Sequence, residues 1–350
     1  MKKTVLTLML AAALPATALA QSSVTVYGSI DAGLREQTKV DAAGNSQLTM
    51  GTGNYYSNRL GFRGIEKLDN GLNVHFQLES GFNSKTGALD NTNNVLFNRT
   101  AEVGIGGAWG SIDMGHQYTI GFRTEKFLDP FDHHYTGIVP LSSGAGTSLP
   151  ADAKTAGLSA SSNSGTRFNN DVQYTGTFGG LTVRGEYALG EVAGDANKGT
   201  ARGVAFSYTG STLLAAASYI HKETVAGLGN TAWVGGGGFK LHGVTVKAGM
   251  SRERQDTATS GIYQNETRFG GASYQLSKPV ELTAAVYHSD YSSLAAKGER
   301  TLDIVGAIYA FSKRSNLYAE FDVNHYEGAL VPSSKQSTQR GISVGLNHLF

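Results

Sequence analysis

The 350-residue chain has no cysteine, only 6 prolines and only 2 tryptophans. Without cysteine there is no disulfide framework, no thiol nucleophile and no Cys-based metal site. Scarce proline beside 46 glycines, about twice the usual glycine share, is neither a collagen nor a linker composition. It suits closely packed, hydrogen-bonded strands. Neither sign of charge dominates, with 29 Lys and Arg against 28 Asp and Glu, so nothing points to nucleic acid as a partner. Beyond the N-terminal segment no run of 18 or more apolar residues occurs. That excludes a helical membrane span. It leaves open a span built of strands, whose apolar residues alternate with polar ones.

The first twenty residues, MKKTVLTLMLAAALPATALA, combine Lys2 and Lys3, an apolar run and the small-residue ending Ala18-Leu19-Ala20. That order predicts a secretory signal peptide over 1–20, cleaved after Ala20. The apolar run is too short for an anchor and no stop-transfer pattern follows it. A single domain over 21–350 is expected to remain, and the loss of two lysines brings its net charge to −1, with 27 bases against 28 acids.

In the rest of the chain the period is two almost everywhere. In SVTVYGSIDAGL, Val24, Val26, Ile30, Ala32 and Leu34 share one face, while Thr25, Tyr27, Ser29 and Asp31 share the other. The segments NVHFQLESGF, LTVRGEYAL and NLYAEFDVNHY alternate in the same way. Each reads as a strand with one apolar and one polar side. Seven short turns, at Asp69-Asn70-Gly71, Trp109-Gly110, Gly179-Gly180, Gly210-Ser211, His242-Gly243, Lys278-Pro279 and Lys313-Arg314-Ser315, suit tight hairpins. Between them lie eight longer polar stretches, near 39–53, 83–95, 119–166, 191–200, 225–229, 257–264, 292–298 and 328–337. Strict alternation of eight long and seven short connections predicts sixteen strands, with the long loops at one end. The fold class is therefore all-β: a sixteen-stranded antiparallel transmembrane barrel. A β-sandwich or propeller is the runner-up, but neither requires that alternation, and no blade-length repeat is present. The segment GLNHLF ends on Phe350 with the same alternation. In a closed barrel this last strand pairs with the first, because hydrocarbon cannot satisfy an open edge. Phe350 then belongs at the periplasmic interface, where aromatic residues gather.

Four segments carry a resemblance. SSVTVYGSIDAGL, SNRLGFRGIEKLDNGL, AFSKRSNLYAEF and the terminal GLNHLF together resemble the general porins of β-proteobacteria, the neisserial and Comamonas-type group, in the family's order along the chain. The resemblance implies an outer-membrane barrel that forms homotrimers and passes small hydrophilic solutes and ions by passive diffusion. It implies contacts with outer-membrane lipid and lipopolysaccharide, and it makes Phe350 the assembly signal read by the barrel-insertion machinery. No cofactor is implied. Two departures stand out: the family often has a basic residue where Asn347 and Leu349 stand, and loop three varies.

An open barrel of this size leaves a wide aqueous channel. The longest connection, 119–166, is the candidate for a loop folded into the lumen. Its first half holds Arg123, Glu125, Lys126, Asp129 and Asp132 among Phe122, Phe127, Phe131 and Tyr135, and its second half is rich in Ser, Gly and Ala. On the wall, Leu60 and Phe62 facing out place Arg59 and Arg63 inside. In strand six, Phe168, Val172, Tyr174 and Phe178 are expected outside and Arg167 inside. Arg99 shares the parity of Val103 and Ile105, yet its place matches a pore arginine of the family; a bulge or a rim position would reconcile the two. By resemblance Arg59, Arg99 and Arg167 fall near the constriction arginines, opposite acids of loop three. Opposed charges across a narrow gap orient water and solutes and set ion preference. More wall arginines than placed acids gives an expectation of mild anion selectivity. A channel that prefers one substrate, with a solute-binding constriction, is the alternative.

Other constellations are weaker. His133-His134 with Asp129 and Asp132 lacks the spaced partners of a metal cage. Gly104 to Gly110 lacks the following helix of a phosphate loop and suits close packing. The remaining histidines are scattered, and no nucleophile motif accompanies them, so no enzymatic activity is expected.

Overall fold

The computed structural model describes residues 23–91, 93–135, 166–256, 261–294 and 296–350. The predicted signal peptide and the second half of the longest loop, 136–165, lie outside the described residues. The chain forms β1 (Ser23–Gln37), then β2 in two pieces, β2a (Gln47–Thr52) and β2b (Arg59–Lys67), then β3 (Asn73–Gly81), β4 (Thr100–Gly107) and β5 (Gly110–Tyr118). A helix, α1 (Ile120–Leu128), precedes β6 (Arg167–Phe178), β7 (Leu181–Ala188), β8 (Ala201–Thr209) and β9 (Leu213–Glu223). The last seven strands are β10 (Gly229–Leu241), β11 (Val244–Asp256), β12 (Ile262–Ser277), β13 (Val280–Ser292), β14 (Lys297–Ala310), β15 (Ser315–Gly328) and β16 (Thr338–Leu349).

Every strand pairs antiparallel with its neighbour in sequence, and β16 returns to β1, from Ser29 opposite Leu349 to Gln37 opposite Gly341. Beyond that ladder Gly28 and Phe350 exchange backbone hydrogen bonds of 3.1 Å in both directions. The sheet is closed, with sixteen strands as the alternation of connections predicted. Short and long connections fall at opposite ends, as antiparallel order requires. In the two-residue connection between β10 and β11, His242 and Gly243 both have positive φ, 49° and 81°, the geometry that lets such a turn follow the twist of its strands.

The two faces differ as the period-two pattern predicts. Val26, Leu34, Val204, Phe206, Val286, Val305 and Val344 are roughly half exposed on the outside, whereas Ser29, Asp31 and Asp171 are fully buried on the inside. An outer apolar band with a polar interior is the arrangement of a barrel in lipid. It is the reverse of a sandwich or propeller, where the apolar face is dry.

Three details depart from the sequence expectation. The stretch 39–53 is not all loop, because strand two begins at Gln47 and is interrupted at 53–58. There the Asp31 carboxylate accepts the backbone N–H of Asn54 at 2.9 Å and of Tyr56 at 3.4 Å, and Ser29 Oγ donates to the Ser57 carbonyl at 2.8 Å. Side chains replace the ladder, so the backbone can leave it without stranding polar groups. Secondly, 119–166 opens with a helix. Thr119 caps it, accepting the Phe122 N–H at 3.1 Å, and Ile120, Thr124 and Leu128 form a buried stripe spaced by four. Thirdly, Phe168 faces inward, not outward. The β5–β6 register shifts between Gly115 and Gln117, and Asn170 has φ 54°. This bulge turns Phe168 inward, while Arg167, the first residue of β6, leaves the alternation and lies over the Tyr118 ring. Phe168 then packs with Ile120, Ala188, Ala201, Ala205 and Ile220 beneath α1.

Candidate functional site: the basic wall and loop three

β3 supplies the acid at the centre of the wall. Glu79 shares the inward face of Gln77 and His75, and its carboxylate lies 2.7 Å from Arg99 Nε and 3.5 Å from Arg59 Nη1. The Tyr27 hydroxyl donates to it at 3.1 Å. Glu79 is 2% exposed and Arg99 8% exposed. Breaking a pair this buried costs about 3–5 kcal/mol, because the charge left behind has no water.

Arg99 reaches the inside through a bulge. Thr100 is the ladder partner of Glu79, yet the backbone N–H of Arg99 also donates to the Glu79 carbonyl, at 3.1 Å. Two residues therefore oppose one, and Arg99 escapes the outward parity of Val103 and Ile105. Its guanidinium also donates to the Tyr118 hydroxyl at 2.8 Å and lies 3.9 Å from Asp90.

Tyr118, the last residue of β5, gathers the other bases. Arg167 stacks 4.0 Å above its ring and donates through Nε to the Arg99 carbonyl. Arg123 of α1 donates to the Tyr118 carbonyl at 3.3 Å, with its guanidinium 5.8 Å from the same ring. Arg59 lies 4.4 Å from the Tyr56 ring. Arg59, Arg99, Arg123 and Arg167 thus form one cluster. Arg63 stands apart from it, nearer the short-turn end, exposed and 5.1 Å from the Tyr27 ring.

The acids of loop three go elsewhere. Lys247 of β11 bonds Asp132 at 2.6 Å and the Asp129 carbonyl at 2.9 Å, and the Tyr287 hydroxyl of β13 donates to the Asp129 carboxylate. Glu125 is buried, and Lys126 is half-buried in the last turn of α1. Among the described residues the acids beside Arg59 and Arg99 are Glu79 and Asp90, not those of loop three. Further along, Tyr135 N–H donates to the Tyr55 carbonyl at 2.9 Å and the Tyr135 hydroxyl to the Ala319 carbonyl at 3.3 Å. Residues 119–135 therefore begin at β5 and touch β11, β13, β15 and the gap in β2. Leu128, Phe131 and Tyr135 pack with Tyr287, Leu302, Ile304 and Tyr318, on the face opposite the outer apolar band.

Glu79, Tyr118, Lys247 and Tyr287 escaped the sequence reading. Glu79 and Lys247 had the right parity and a charge, but parity does not give depth in the barrel. Tyr118 and Tyr287 had no charge to mark them.

Burial pushes the Asp129 carboxyl up to about 6, partly offset by the Tyr287 hydroxyl, the His133 N–H and Lys247. Burial also holds His133 and His134 neutral, down to about 3 and about 4. The folded protein keeps the Asp129 proton above the unfolded value of about 3.9, so the contribution is present below pH 4 and is lost as pH rises through about 6. Asp129→Asn is expected to flatten that part of the pH dependence of thermal unfolding in detergent. An unchanged profile between pH 4 and 7 would show that Asp129 is not buried in this way.

The family described as Gram-negative porin matches residues 6–329. Over the whole of both chains the sequence is 30% identical to outer membrane porin protein 32 of Delftia acidovorans and 29% identical to an outer membrane porin protein of Bordetella pertussis. It is 36% identical to the major outer membrane protein P.IB of Neisseria gonorrhoeae over 33% of this chain and 32% of that one. Among solved structures, the anion-selective porin from Comamonas acidovorans has a TM-score of 0.76 at 23% identity, covering 94% of this chain and 100% of that one. An OmpT variant of Vibrio cholerae has a TM-score of 0.69 at 15% identity, covering 94% and 99%. At these identities the structures speak to the fold, which they share with the closed barrel described above. A family match over most of the sequence, with a relative 30% identical along its whole length, makes this chain an outer-membrane protein of the Gram-negative porin family.

Proposed function

We propose that the barrel is a passive channel for small hydrophilic solutes and ions, narrowed by loop three against the basic wall and mildly selective for anions. The observation that carries this reading is the clustering of Arg59, Arg99, Arg123 and Arg167 around Tyr118 and Glu79. Guanidinium groups stay charged across physiological pH, so the local field is constant. A positive lining concentrates anions and repels cations, and the charge balance sets the preference. The solved Comamonas relative is described as anion-selective, which agrees with the reading. Assembly as a homotrimer fits the family; so does release of residues 1–20 on export. Phe350 serves as the assembly signal. The relatives are porins, and no chemical step is assigned to this chain.

Reversal potentials under a KCl gradient test the selectivity. The expected sign is that of chloride, and a clear potassium preference would end the proposal. A second reading, a channel that prefers one class of organic anion, draws on the arginines stacked over Tyr27, Tyr56 and Tyr118. Liposome swelling with graded solutes separates the two. Among solutes of equal charge a general pore sorts by size, whereas a preferring pore saturates with its own substrate.

A further inference from the structure

A second ionic network lies on the outer wall. His288 and Asp290 of β13 share the parity of Leu282 and Val286, and Glu299 of β14 shares that of Val305, all exposed apolar positions. The three residues stand just beyond the apolar band, beside the 293–296 connection at the long-loop end. Ladder pairing sets His288 opposite Thr301 and Asp290 opposite Glu299. His288 Nε2 is 3.4 Å from Asp290 Oδ1 and 4.0 Å from Glu299 Oε2. One ligand atom from each residue lies within 4.8 Å of the others. The second ring nitrogen, Nδ1, is hydrogen-bonded to Thr301 Oγ1 at 2.9 Å. That bond fixes the ring so that Nε2 faces the two carboxylates.

We propose that His288, Asp290 and Glu299 bind a divalent transition-metal ion of the zinc class on the outside of the barrel. Imidazole and carboxylate are both zinc ligand types, and three of them leave one tetrahedral position open. Two ligand atoms each about 2.1 Å from a tetrahedral ion lie roughly 3.4 Å apart; His288 and Asp290 already have that spacing, and Glu299, 4.0 Å from His288, has to close in by a rotamer adjustment. An oxygen acceptor behind the ligating histidine, a carboxylate, a backbone carbonyl or water, orients the ring, and here the Thr301 hydroxyl takes that place. The imidazole argues against magnesium and calcium, which favour all-oxygen sites. The ligands' backbones are fixed by paired strands, so only side-chain rotamers, chiefly that of exposed Glu299, are left for the ion to order. Arg268 is the competing cation, 3.7 Å from Asp290. Its closer partner is Glu266, at 2.5 Å, so Asp290 can turn to a metal without stranding the guanidinium. The open position faces the headgroup layer, where water or a lipid phosphate oxygen completes the coordination.

The test is zinc chloride titrated into the refolded barrel in chelator-free detergent, followed by calorimetry. The wild type is expected to bind one more zinc per chain than His288→Ala or Glu299→Gln, and the variants to bind at least tenfold more weakly at that site. Comparison with variants is needed because eight other histidines are present. KCl conductance of both variants should equal that of the wild type, because these side chains lie outside the lumen. Equal zinc binding by wild type and both variants overturns the proposal, as does full displacement of zinc by an equal concentration of calcium. Zinc-edge anomalous scattering from soaked wild-type crystals needs no variant. A peak among the three residues supports the site, and no peak there at saturating zinc refutes it.

Discussion

Replacing Arg59, Arg99 and Arg167 together by glutamine is expected to lower the chloride-to-potassium permeability ratio by at least tenfold, and to leave the channel cation-preferring. A unit charge about 6 Å from a passing ion contributes about 0.7 kcal/mol in bulk water. Three such charges contribute about 2 kcal/mol, and salt near 0.1 M screens part of this. The effect acts with opposite sign on anion and cation, so the ratio moves further than either permeability. Glu79 and Asp90 stay behind and turn the local field negative. Glutamine keeps a donor that can reach Glu79, which limits the loss of packing. Arg63→Gln serves as the comparison, and because Arg63 stands apart over Tyr27 its effect should be several-fold smaller. If the triple variant keeps the wild-type reversal potential, or if Arg63→Gln has the larger effect, the cluster is not the selectivity determinant.

Deletion of Phe350 should reduce folded barrel in the outer membrane by tenfold or more. Phe350 makes the last two backbone hydrogen bonds between the first and final strands, both with Gly28. Its ring covers the position that a Gly28 side chain would occupy. The loss opens one rung at the seam, and each unsatisfied backbone group in lipid costs several kcal/mol. Phe350→Tyr keeps the ring and the pairing and should fold nearly normally. Gly28→Val should fail, because its side chain would meet the Phe350 ring and the Arg59 carbonyl. The measurement is the heat-modifiable band of outer-membrane fractions on gels. Normal yield from the deletion would remove Phe350 from any role in assembly.

The wall arginines were legible to different degrees. Parity placed Arg59 and Arg63 inside but could not tell that only Arg59 reaches Glu79, whose ladder partner Gly61 stands midway between the two, while Arg63 turns over Tyr27. Arg99 has outward parity, and a single extra residue opposite Glu79 turns it inward. The same device, at Asn169 and Asn170, sends Phe168 to the inside, where alternation had placed a polar residue. Bulges leave little trace in sequence because any short polar residue can sit in them. Loop three was recognisable by its length and its aromatics. Its partners were not, since Lys247 and Tyr287 lie more than a hundred residues away.

The sequence alone determined the strand count, the closed antiparallel order and the outer apolar face. Alternation and turn chemistry are local, and lipid admits no open edge. Only the tertiary structure decided which charges meet. Leu302, Ile304, Phe269 and Tyr287 are dry inside the barrel, because α1 and the segment after it cover them. Asp132 pairs with Lys247, and the Asp129 carboxylate takes the Tyr287 hydroxyl, for the same reason. Depth along a tilted strand, and the place where a long loop comes to rest, depend on contacts between distant residues that no local pattern encodes.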